Sequence, residues 1–323
     1  MNSFGRIFRI NIFGESHGPE VGVTIDGCPT GIPLSEKDFE TDLARRKSGV
    51  KGTTPRKESD IPRLISGVYQ GRTTGAPLTM LFENADTRPE DYAGFTDIPR
   101  PGHADFTAMK KYSGYNDPRG GGHFSGRITI GLVAAGVIAR KIITPVEVKA
   151  SLKEAGGEKE IEHAVKNAID AKDSIGGIIE CEVEQMPVGL GEPFFDSLES
   201  LISHMIFSIP AIRGIEFGAG FGAAGMRGSE HNDCFISAEG KTKTNNAGGI
   251  NGGISNGNPL LFRIAVKPAS SIAQKQRTMN MATGEMVDLE IGGRHDACIA
   301  LRVPVIVEAV TAIVLADLFL LNP

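Results

Sequence analysis

The chain has 323 residues, with 34 Lys and Arg against 39 Asp and Glu and a formal net charge of −5 at pH 7. Nonspecific nucleic-acid binding requires a basic surface that neutralises many phosphates, so this composition argues against a nucleic-acid partner. Hydrophobic residues make up 40% of the chain, which is enough for a sizeable buried core.

The N-terminal third predicts two strands followed by a helix. The segments FGRIFRINIFG and VGVTIDG alternate apolar and polar side chains, as half-buried strands do. Ser35 and Asp38 then stand at the N-cap and N3 positions of a capping box, which predicts a helix start. This helix carries Arg45 and Arg46 at its end, where cations favour the helix dipole. LISGVYQG and PLTMLFEN predict two further strands.

Residues 100–127 have the composition of an anion site. The stretch holds five Arg and Lys residues, the histidines His103 and His123, and three successive glycines at 120–122. Glycines allow backbone N–H groups to approach a ligand closely. The apolar spacing that follows predicts a helix over residues 125–143, ended by Pro145, and a helix N-terminus attracts phosphate.

The second half of the chain contains both periodicities. Residues 158–171 predict an exposed amphipathic helix, IGGIIECEVEQMPVGLG a strand, FDSLESLISHMIFSI a helix, and LLFRIAV and MVDLEI two strands. Strands and helices come in runs rather than in βαβ units, which predicts an α+β fold with antiparallel sheets. No long linker or charge run divides the chain, so we expect a single domain over residues 1–323.

Three patterns predict a cytoplasmic protein without a membrane partner. The apolar run VPVIVEAVTAIVLADLFLL is interrupted by Glu308 and Asp317, which favours a buried terminal helix over a membrane span. The N-terminus lacks the continuous apolar segment of a signal peptide. The four cysteines stand far apart, which is typical of reduced thiols rather than of a disulfide framework or a zinc site.

The motifs for nucleotides and metals are weak. GFGAAG at 220–225 matches GxGxxG, but the polar segment MRGSEHND follows where a dinucleotide-binding turn requires a helix. The glycine-rich stretches 218–225 and 245–259 favour ligand-wrapping loops over flexible linkers. The seven histidines show no HxxxH or HExxH spacing, so we expect no metal site.

Histidines beside charged residues are the better candidates for proton transfer. His103 lies close to Arg100 and Asp105 in the sequence. In the segment GRHD, His295 stands between Arg294 and Asp296. An imidazole titrates near neutral pH, and neighbouring arginines suit an anionic substrate. The segment KPASS at 267–271 adds one cation and two hydroxyl groups after a strand end.

Taken together, these motifs closely resemble the chorismate synthase family over essentially the whole chain. The matching segments are FGESHG at 13–18, the Arg45-Arg46 cluster, RPGHAD at 100–105, GGGHFSGR at 120–127, PVGLGEP at 187–193, NNAGGINGGIS at 245–255, KPASS at 267–271 and GRHD at 293–296. The resemblance implies an α+β fold with helices sandwiched between two antiparallel sheets, assembled as a homotetramer.

The same resemblance implies a lyase that converts 5-enolpyruvylshikimate 3-phosphate into chorismate and phosphate, the last step of the shikimate pathway. This anti-1,4-elimination removes the C3 phosphate and a C6 hydrogen without net redox change. The implied cofactor is reduced FMN, supplied by an external flavin reductase, and NADP and FAD are associated nucleotides. The residue pattern suits such a reaction, because one flavin phosphate, one substrate phosphate and two carboxylates need cationic partners.

Individual residues acquire roles through the resemblance. His17 would protonate the departing phosphate, His103 would assist protonation of the reduced flavin, and Asp296 would act with flavin N5 in removing the C6 proton. The substrate would contact Ser16, Arg46, Lys51, Arg100, Arg127 and Arg294. The flavin would contact His123, Phe124, Ser125, Pro210, Ala211, Gly252, Lys267, Pro268, Ala269, Ser270, Ser271 and Arg294.

The chain departs from the family pattern at two places. Lys51 stands where the family usually has an arginine, so its contact with substrate is open. The stretch between Val148 and Asp173 is shorter than usual, which is expected to trim a peripheral segment.

Two other functions are open at this point. A noncatalytic protein that binds flavin or phosphorylated metabolites would keep the cations without the chemistry, although the presence of His17, His103 and Asp296 argues against it. A flavin oxidoreductase that uses a nicotinamide cofactor itself would need a better dinucleotide motif than GFGAAG.

Overall fold

Two antiparallel β-sheets form the outer layers of the protein, and the computed structural model describes residues 1–92, 94–293 and 295–322. In chain order, the described strands are β1 (Ser3–Phe4), β2 (Arg9–Gly14), β3 (Glu20–Asp26), β4 (Arg63–Ser66), β5 (Val68–Tyr69), β6 (Arg72–Thr73), β7 (Leu78–Glu83), β8 (Glu147–Ala155), β9 (Gly177–Glu184), β10 (Ile212–Phe217), β11 (Ile250–Asn251), β12 (Ile254–Ser255), β13 (Leu260–Val266), β14 (Gln276–Met279) and β15 (Met286–Leu289). The first sheet has the order β1-β2-β3-β7-β4 and the second the order β10-β13-β9-β8. The pairs β5-β6, β11-β12 and β14-β15 are two-stranded ribbons.

The helices of the described residues lie mainly between these sheets. They are α1 (Glu40–Arg46), α2 (Asp105–Lys111), α3 (Thr129–Ile142), α4 (Ile161–Asp170), α5 (Leu198–Ile206), α6 (Gly228–His231) and α7 (Pro304–Leu321). Helix α3 packs on β3 of the first sheet, α7 packs on β8 of the second, and the two helices pack against each other. Their buried residues join those of both sheets in one core cluster. This arrangement confirms the predicted α+β class, with helices sandwiched between antiparallel sheets.

Helix α3 and helix α7 approach closely because a glycine stands at their contact. A Cβ atom on Gly136 would lie 2.4 Å from the Cβ of Ala309 and 2.5 Å from its Cα. Those distances are well inside van der Waals contact, so a larger side chain would push the two helices apart.

Helix α7 is the apolar run at the end of the chain. It is long and apolar enough to cross a membrane by length and composition, and 78% of its 18-residue apolar window is buried inside the protein. Its two acidic residues are also buried and paired. Glu308 receives two hydrogen bonds from Arg45, and Asp317 accepts hydrogen bonds from the backbone N–H groups of residues 6–8.

Most predicted helix and strand positions are present, including the helix start after Ser35, where the Asp38 carboxylate accepts a hydrogen bond of 2.7 Å from the Ser35 backbone N–H. Helix α2 and strands β10 and β8 are among the elements that were not predicted. Helix α2 is too short to show a clear apolar period, and β10 is a short strand directly before the glycine-rich stretch 218–225. The segment expected to be peripheral contributes strand β8, the edge of its sheet, in which exposed side chains such as Lys149 and Lys153 alternate with more buried ones because one face of the strand is towards solvent.

The GFGAAG segment follows β10 and forms a 3₁₀ turn at Gly220–Gly225. The helix after it, α6, has four residues and is fully polar in sequence. Because β10 pairs antiparallel with β13, the described residues around this motif do not form the βαβ unit of a dinucleotide-binding site.

Candidate active site

A cavity of about 1060 Å³ lies where the first sheet, the start of α3 and the loops before α2 and α7 meet. Among the described residues that line it, nine are Lys or Arg and three are Asp or Glu. The chain as a whole carries a net charge of −5, so the cations are concentrated at this place. A cavity with this lining favours a ligand that carries several negative charges.

Two of the predicted substrate arginines meet at one buried carboxylate. The Asp60 carboxylate accepts a hydrogen bond of 2.8 Å from Nη2 of Arg46, and its other oxygen pairs with Nη1 of Arg127. All three side chains are at most 4% exposed. Burial alone would raise the pKa of Asp60, but the charges of Arg46 and Arg127 outweigh it and hold that pKa below its usual range.

The arginine pair keeps hydrogen-bond donors for a ligand. Nε of Arg46 is buried and has no hydrogen-bond partner among the described residues. A buried guanidinium N–H without an acceptor is costly, so a ligand oxygen at this point would restore the lost hydrogen bond. Arg46 is therefore placed to bind an anion while Asp60 fixes its other end.

The turn between β2 and β3 brings Ser16 and His17 to the cavity wall. Ser16 lines the cavity, and its hydroxyl accepts a hydrogen bond of 2.9 Å from Nη1 of Arg56. His17 is buried behind it, with its ring edge-on to Tyr92 at a centroid distance of 5.1 Å. A Cβ atom on Gly120, which also lines the cavity, would lie 2.0 Å from Nδ1 of His17. The glycine at position 120 therefore provides the space for the imidazole.

His103 belongs to a second charged cluster. Its Nδ1 lies 2.5 Å from Oδ1 of Asp105 and 3.0 Å from Nη2 of Arg100, while the same carboxylate accepts two hydrogen bonds from the Arg100 side chain. Burial would raise the pKa of Asp105, but the hydrogen bonds from Arg100 and His103 hold that pKa well below its usual range. The short distance to a carboxylate favours a proton on Nδ1 of His103.

The glycine run before α3 and the residues that follow it form another wall. Gly120, Gly121 and Gly122 all have positive φ angles, so the run needs glycine for its backbone conformation. His123, Phe124 and Ser125 then line the cavity. Nδ1 of His123 donates to the backbone carbonyl of Gly14 at 2.8 Å, which orients the ring.

The KPASS segment also lines the cavity, together with Pro210 and Ala211. Nζ of Lys267 donates to the backbone carbonyl of Gly102 at 3.1 Å and to Oγ of Ser270 at 2.7 Å. Burial lowers the pKa of Lys267, and the nearby positive charge of Arg213 lowers it further. Two cations side by side in a cavity wall favour a bound anion such as a phosphate.

Asp296 lines the cavity near the start of α7. Its Oδ1 accepts a hydrogen bond of 2.9 Å from the backbone N–H of Thr54 and lies 3.4 Å from Nη1 of Arg302. Arg302 in turn donates to the backbone carbonyl of Arg46 at 2.9 Å, which connects this carboxylate to the arginine pair. The predicted contact at Arg294 lies outside the described residues.

The structure brings most of the predicted site residues to this cavity, but not all. Lys51 is exposed and is not among the described residues that line it. Gly252 lies in the turn between β11 and β12 and is also not among the described residues that line the cavity. His17 approaches the wall without lining it. Within the described residues, no group of three or more His, Cys, Asp or Glu could hold a metal ion.

Sequence reasoning did not identify several residues that shape the cavity. The main ones are Arg56, Asp60, Asn84, Tyr92, Arg213 and Arg302. Asp60 adopts a positive φ of 53°, which is uncommon for a residue other than glycine, but no sequence pattern reveals it. Arg56 stands five residues beyond Lys51, so the basic content of TTPRKESD was its only signal.

Comparisons with known proteins all indicate the same family, and the matches extend over nearly the whole chain. A family model described as Chorismate synthase matches residues 8–320. A protein named Chorismate synthase from Chitinophaga pinensis is 63% identical over 323 residues, covering 100% of this chain and 97% of the relative. Proteins of the same name from Dehalococcoides mccartyi and Methanocaldococcus jannaschii are 46% and 43% identical, each covering 99% of this chain and 96% of the relative.

The fold also has a solved counterpart. A structure titled "Crystal Structure of Chorismate Synthase" superimposes with a TM-score of 0.76 and covers 99% of this chain and 93% of that one. The two sequences are 24% identical, so this comparison shows a shared fold and no more.

Proposed function

The chain belongs to the chorismate synthase family, and from this membership we propose that its cavity binds reduced FMN beside 5-enolpyruvylshikimate 3-phosphate. The protein is a lyase of aromatic amino-acid biosynthesis that forms chorismate, and the family works with a reduced flavin. The noncatalytic alternative is not favoured, because the relatives that cover the full chain are named as the enzyme. The observation that carries the proposal for the site is the excess of cations in one cavity.

The arginine pair around Asp60 supplies the substrate side of the proposed site. The substrate carries a phosphate and two carboxylates, and arginine binds both groups through its planar fork. Arg46 offers an unpartnered buried Nε, and Ser16 offers a hydroxyl at the same wall. We assign Arg46, Arg100, Arg127 and Ser16 to the substrate and leave Lys51 out, because it is exposed and does not line the cavity.

The wall formed by His123–Ser125, Pro210–Ala211 and the KPASS segment fits a flavin. Aromatic and small side chains there can hold a flat ring system, and Lys267 with Arg213 suits its phosphate. The cavity volume of about 1060 Å³ is at the upper end of ordinary ligand pockets, which reach about 1,000 Å³, as two ligands require. Gly252 does not support this assignment, because it is not among the described residues that line the cavity.

Reduced flavin, when bound, supplies electron density to an elimination that loses phosphate and a proton without net oxidation. The chain's own residues move the protons. His17 lies directly behind Ser16 and Gly120, so we assign it the protonation of the departing phosphate. Asp296 is an acceptor in the same cavity and is assigned the C6 proton, while His103 holds a proton near the flavin wall.

Replacing either histidine by alanine tests these roles. We expect His17→Ala and His103→Ala each to lower turnover by about 10²-fold or more, the usual scale for a positioned acid or base. His163→Ala is the matched control, because that histidine is exposed on α4 and pairs with Glu158. Turnover is measured as phosphate release from the substrate with reduced FMN in the absence of oxygen. A wild-type rate in either variant would refute the role of that histidine.

We further propose that the chain forms one domain and works as a homotetramer in the cytoplasm, with FMN reduced by a separate flavin reductase. The single core cluster supports one domain. Phe194, Phe195 and Phe221 are more than four-fifths exposed, and exposed aromatic side chains of this size support contact with further subunits. The associations with NADP and FAD stay predictions.

A further inference from the structure

The turn that carries Ser16 and His17 lies beside the end of strand β7. Strands β3 and β7 pair antiparallel, with Glu20 opposite Glu83, so the residue after β7 faces the turn before β3. That residue is Asn84. Its backbone N–H donates to the carbonyl of Pro19 at 3.0 Å, which extends the sheet by one hydrogen bond.

The side-chain amide of Asn84 holds both ends of the turn. Its Nδ2 donates to the backbone carbonyl of Glu15 at 3.0 Å and to that of Gly18 at 2.8 Å. Its Oδ1 accepts a hydrogen bond of 2.8 Å from Nε of Arg127. The orientation of the amide is unambiguous, because the reverse would place an NH₂ group against the guanidinium and an oxygen against two carbonyls.

The hydrogen bonds continue from Arg127 into the substrate side of the site. Nη2 of Arg127 donates to the backbone carbonyl of Glu83 at 2.9 Å, and Nη1 pairs with Asp60. Asp60 in turn holds Arg46. Asn84 is therefore the link between the turn that carries His17 and the arginine pair.

We propose that Asn84 is a positioning residue of the active site, which sets the Ser16–His17 turn at a fixed distance from the substrate arginine Arg127. The inference rests on the proposed function, since it acts through His17. A general acid must be placed accurately relative to the group that it protonates, and the position of that group is set by the arginines. An amide is required here because only the side chains of Asn and Gln carry an NH₂ group with two donor hydrogens and a carbonyl oxygen acceptor on the same carbon.

The variant Asn84→Asp separates positioning from substrate binding. It keeps the acceptor that faces Arg127 and replaces the two donors by an oxygen that opposes the carbonyls of Glu15 and Gly18. We expect kcat to fall at least about tenfold, as misplacement of a reacting group does. We expect KM for the substrate to rise by a smaller factor than kcat falls, because Arg127 keeps its acceptor and its position, and the new carboxylate offsets only part of the positive charge of the site. Asn167→Asp, the same substitution on the exposed face of α4, is the control.

A double-mutant cycle with His17→Ala shows whether the effect passes through His17. If Asn84 positions that residue, Asn84→Asp should slow the His17→Ala enzyme far less than it slows the wild type. A slow His17→Ala enzyme that Asn84→Asp slows further by the full wild-type factor would contradict this inference alone. A wild-type rate for His17→Ala by itself would contradict the proposed role of His17, and this inference would fall with it.

Hydrogen exchange provides a readout that does not depend on turnover. The Gly18 backbone N–H donates to the Glu15 carbonyl at 3.1 Å within the turn. We expect this amide to exchange at least about tenfold faster in Asn84→Asp, with the core strands unchanged. Unchanged exchange at Gly18 would overturn the inference. If Asn84→Asp does not fold, Asn84→Ser, whose hydroxyl can donate to one of the two carbonyls, should show intermediate losses in the same measurements.

Discussion

Hydrogen bonds to other protein groups fix the orientation of the cavity arginines and determine which of their N–H groups remain for a ligand. All three guanidinium nitrogens of Arg100 donate to Asp105 or Ser271, and all three of Arg127 donate to Asn84, Asp60 or Glu83. Each terminal nitrogen still has a second hydrogen for a substrate oxygen. These arginines are thus held in place before the substrate binds, which lowers the entropy lost on binding.

Asp105 is the carboxylate through which Arg100 and His103 are held. Its pKa lies well below the usual range, because hydrogen bonds from Arg100 and His103 outweigh the effect of burial. The stability that it contributes is therefore present above the unfolded pKa of about 3.9 and is lost as pH falls through the lower folded pKa.

Asp105→Asn should consequently destabilise the protein at neutral pH by about 3 kcal/mol, the scale for breaking a buried ion pair. The difference from wild type should narrow as pH falls below about 4, because the Asp105 carboxylate of the unfolded chain takes up a proton there while that of the folded protein stays ionised. Melting temperatures measured from pH 7 down to acid would show this convergence. The control Asp288→Asn changes a carboxylate that is 58% exposed. It should leave the dependence of the melting temperature on pH unchanged. Parallel curves for Asp105→Asn and wild type would contradict the linkage.

At the scale of elements, the contact between α3 and α7 fixes the distance between the two sheets. Gly136→Ala should destabilise the protein by about 1–3 kcal/mol, because the new methyl group would overlap Ala309. Gly228→Ala is the matched control, since a Cβ atom there meets no atom within 4 Å. Unfolding in denaturant measures the free energy of unfolding of both variants. Equal stability of Gly136→Ala and wild type would show that the helices can separate without cost.

Sequence patterns predicted the long elements of this fold better than the short ones. The periodicity of α3, α4 and α5 and the apolar strands of both sheets were recognisable from the residues alone. Helix α2 was not, because seven residues are too few to show a helical period. Strand β8 does alternate polar and apolar residues in EVKASLK, so its pattern was present in the sequence and was not recognised.

At the scale of the whole molecule, the cavity joins segments that are distant in sequence. The recognised motifs supplied many of its residues, among them Ser16, Arg46 and the KPASS segment. They did not reveal Asp60 or Asn84, because the importance of these residues arises from the neighbours that the fold gives them. Resemblance alone also could not show that Lys51 and Gly252 are not among the described residues that line the cavity.

The central claim is that this cavity carries out the elimination with a reduced flavin that is not consumed. The most direct measurement is anaerobic incubation of the protein with 5-enolpyruvylshikimate 3-phosphate and reduced FMN, following phosphate, chorismate and the flavin spectrum together. We expect equal amounts of phosphate and chorismate over many turnovers, with the flavin still reduced at the end. No phosphate release, or oxidation of one flavin for each product formed, would contradict it.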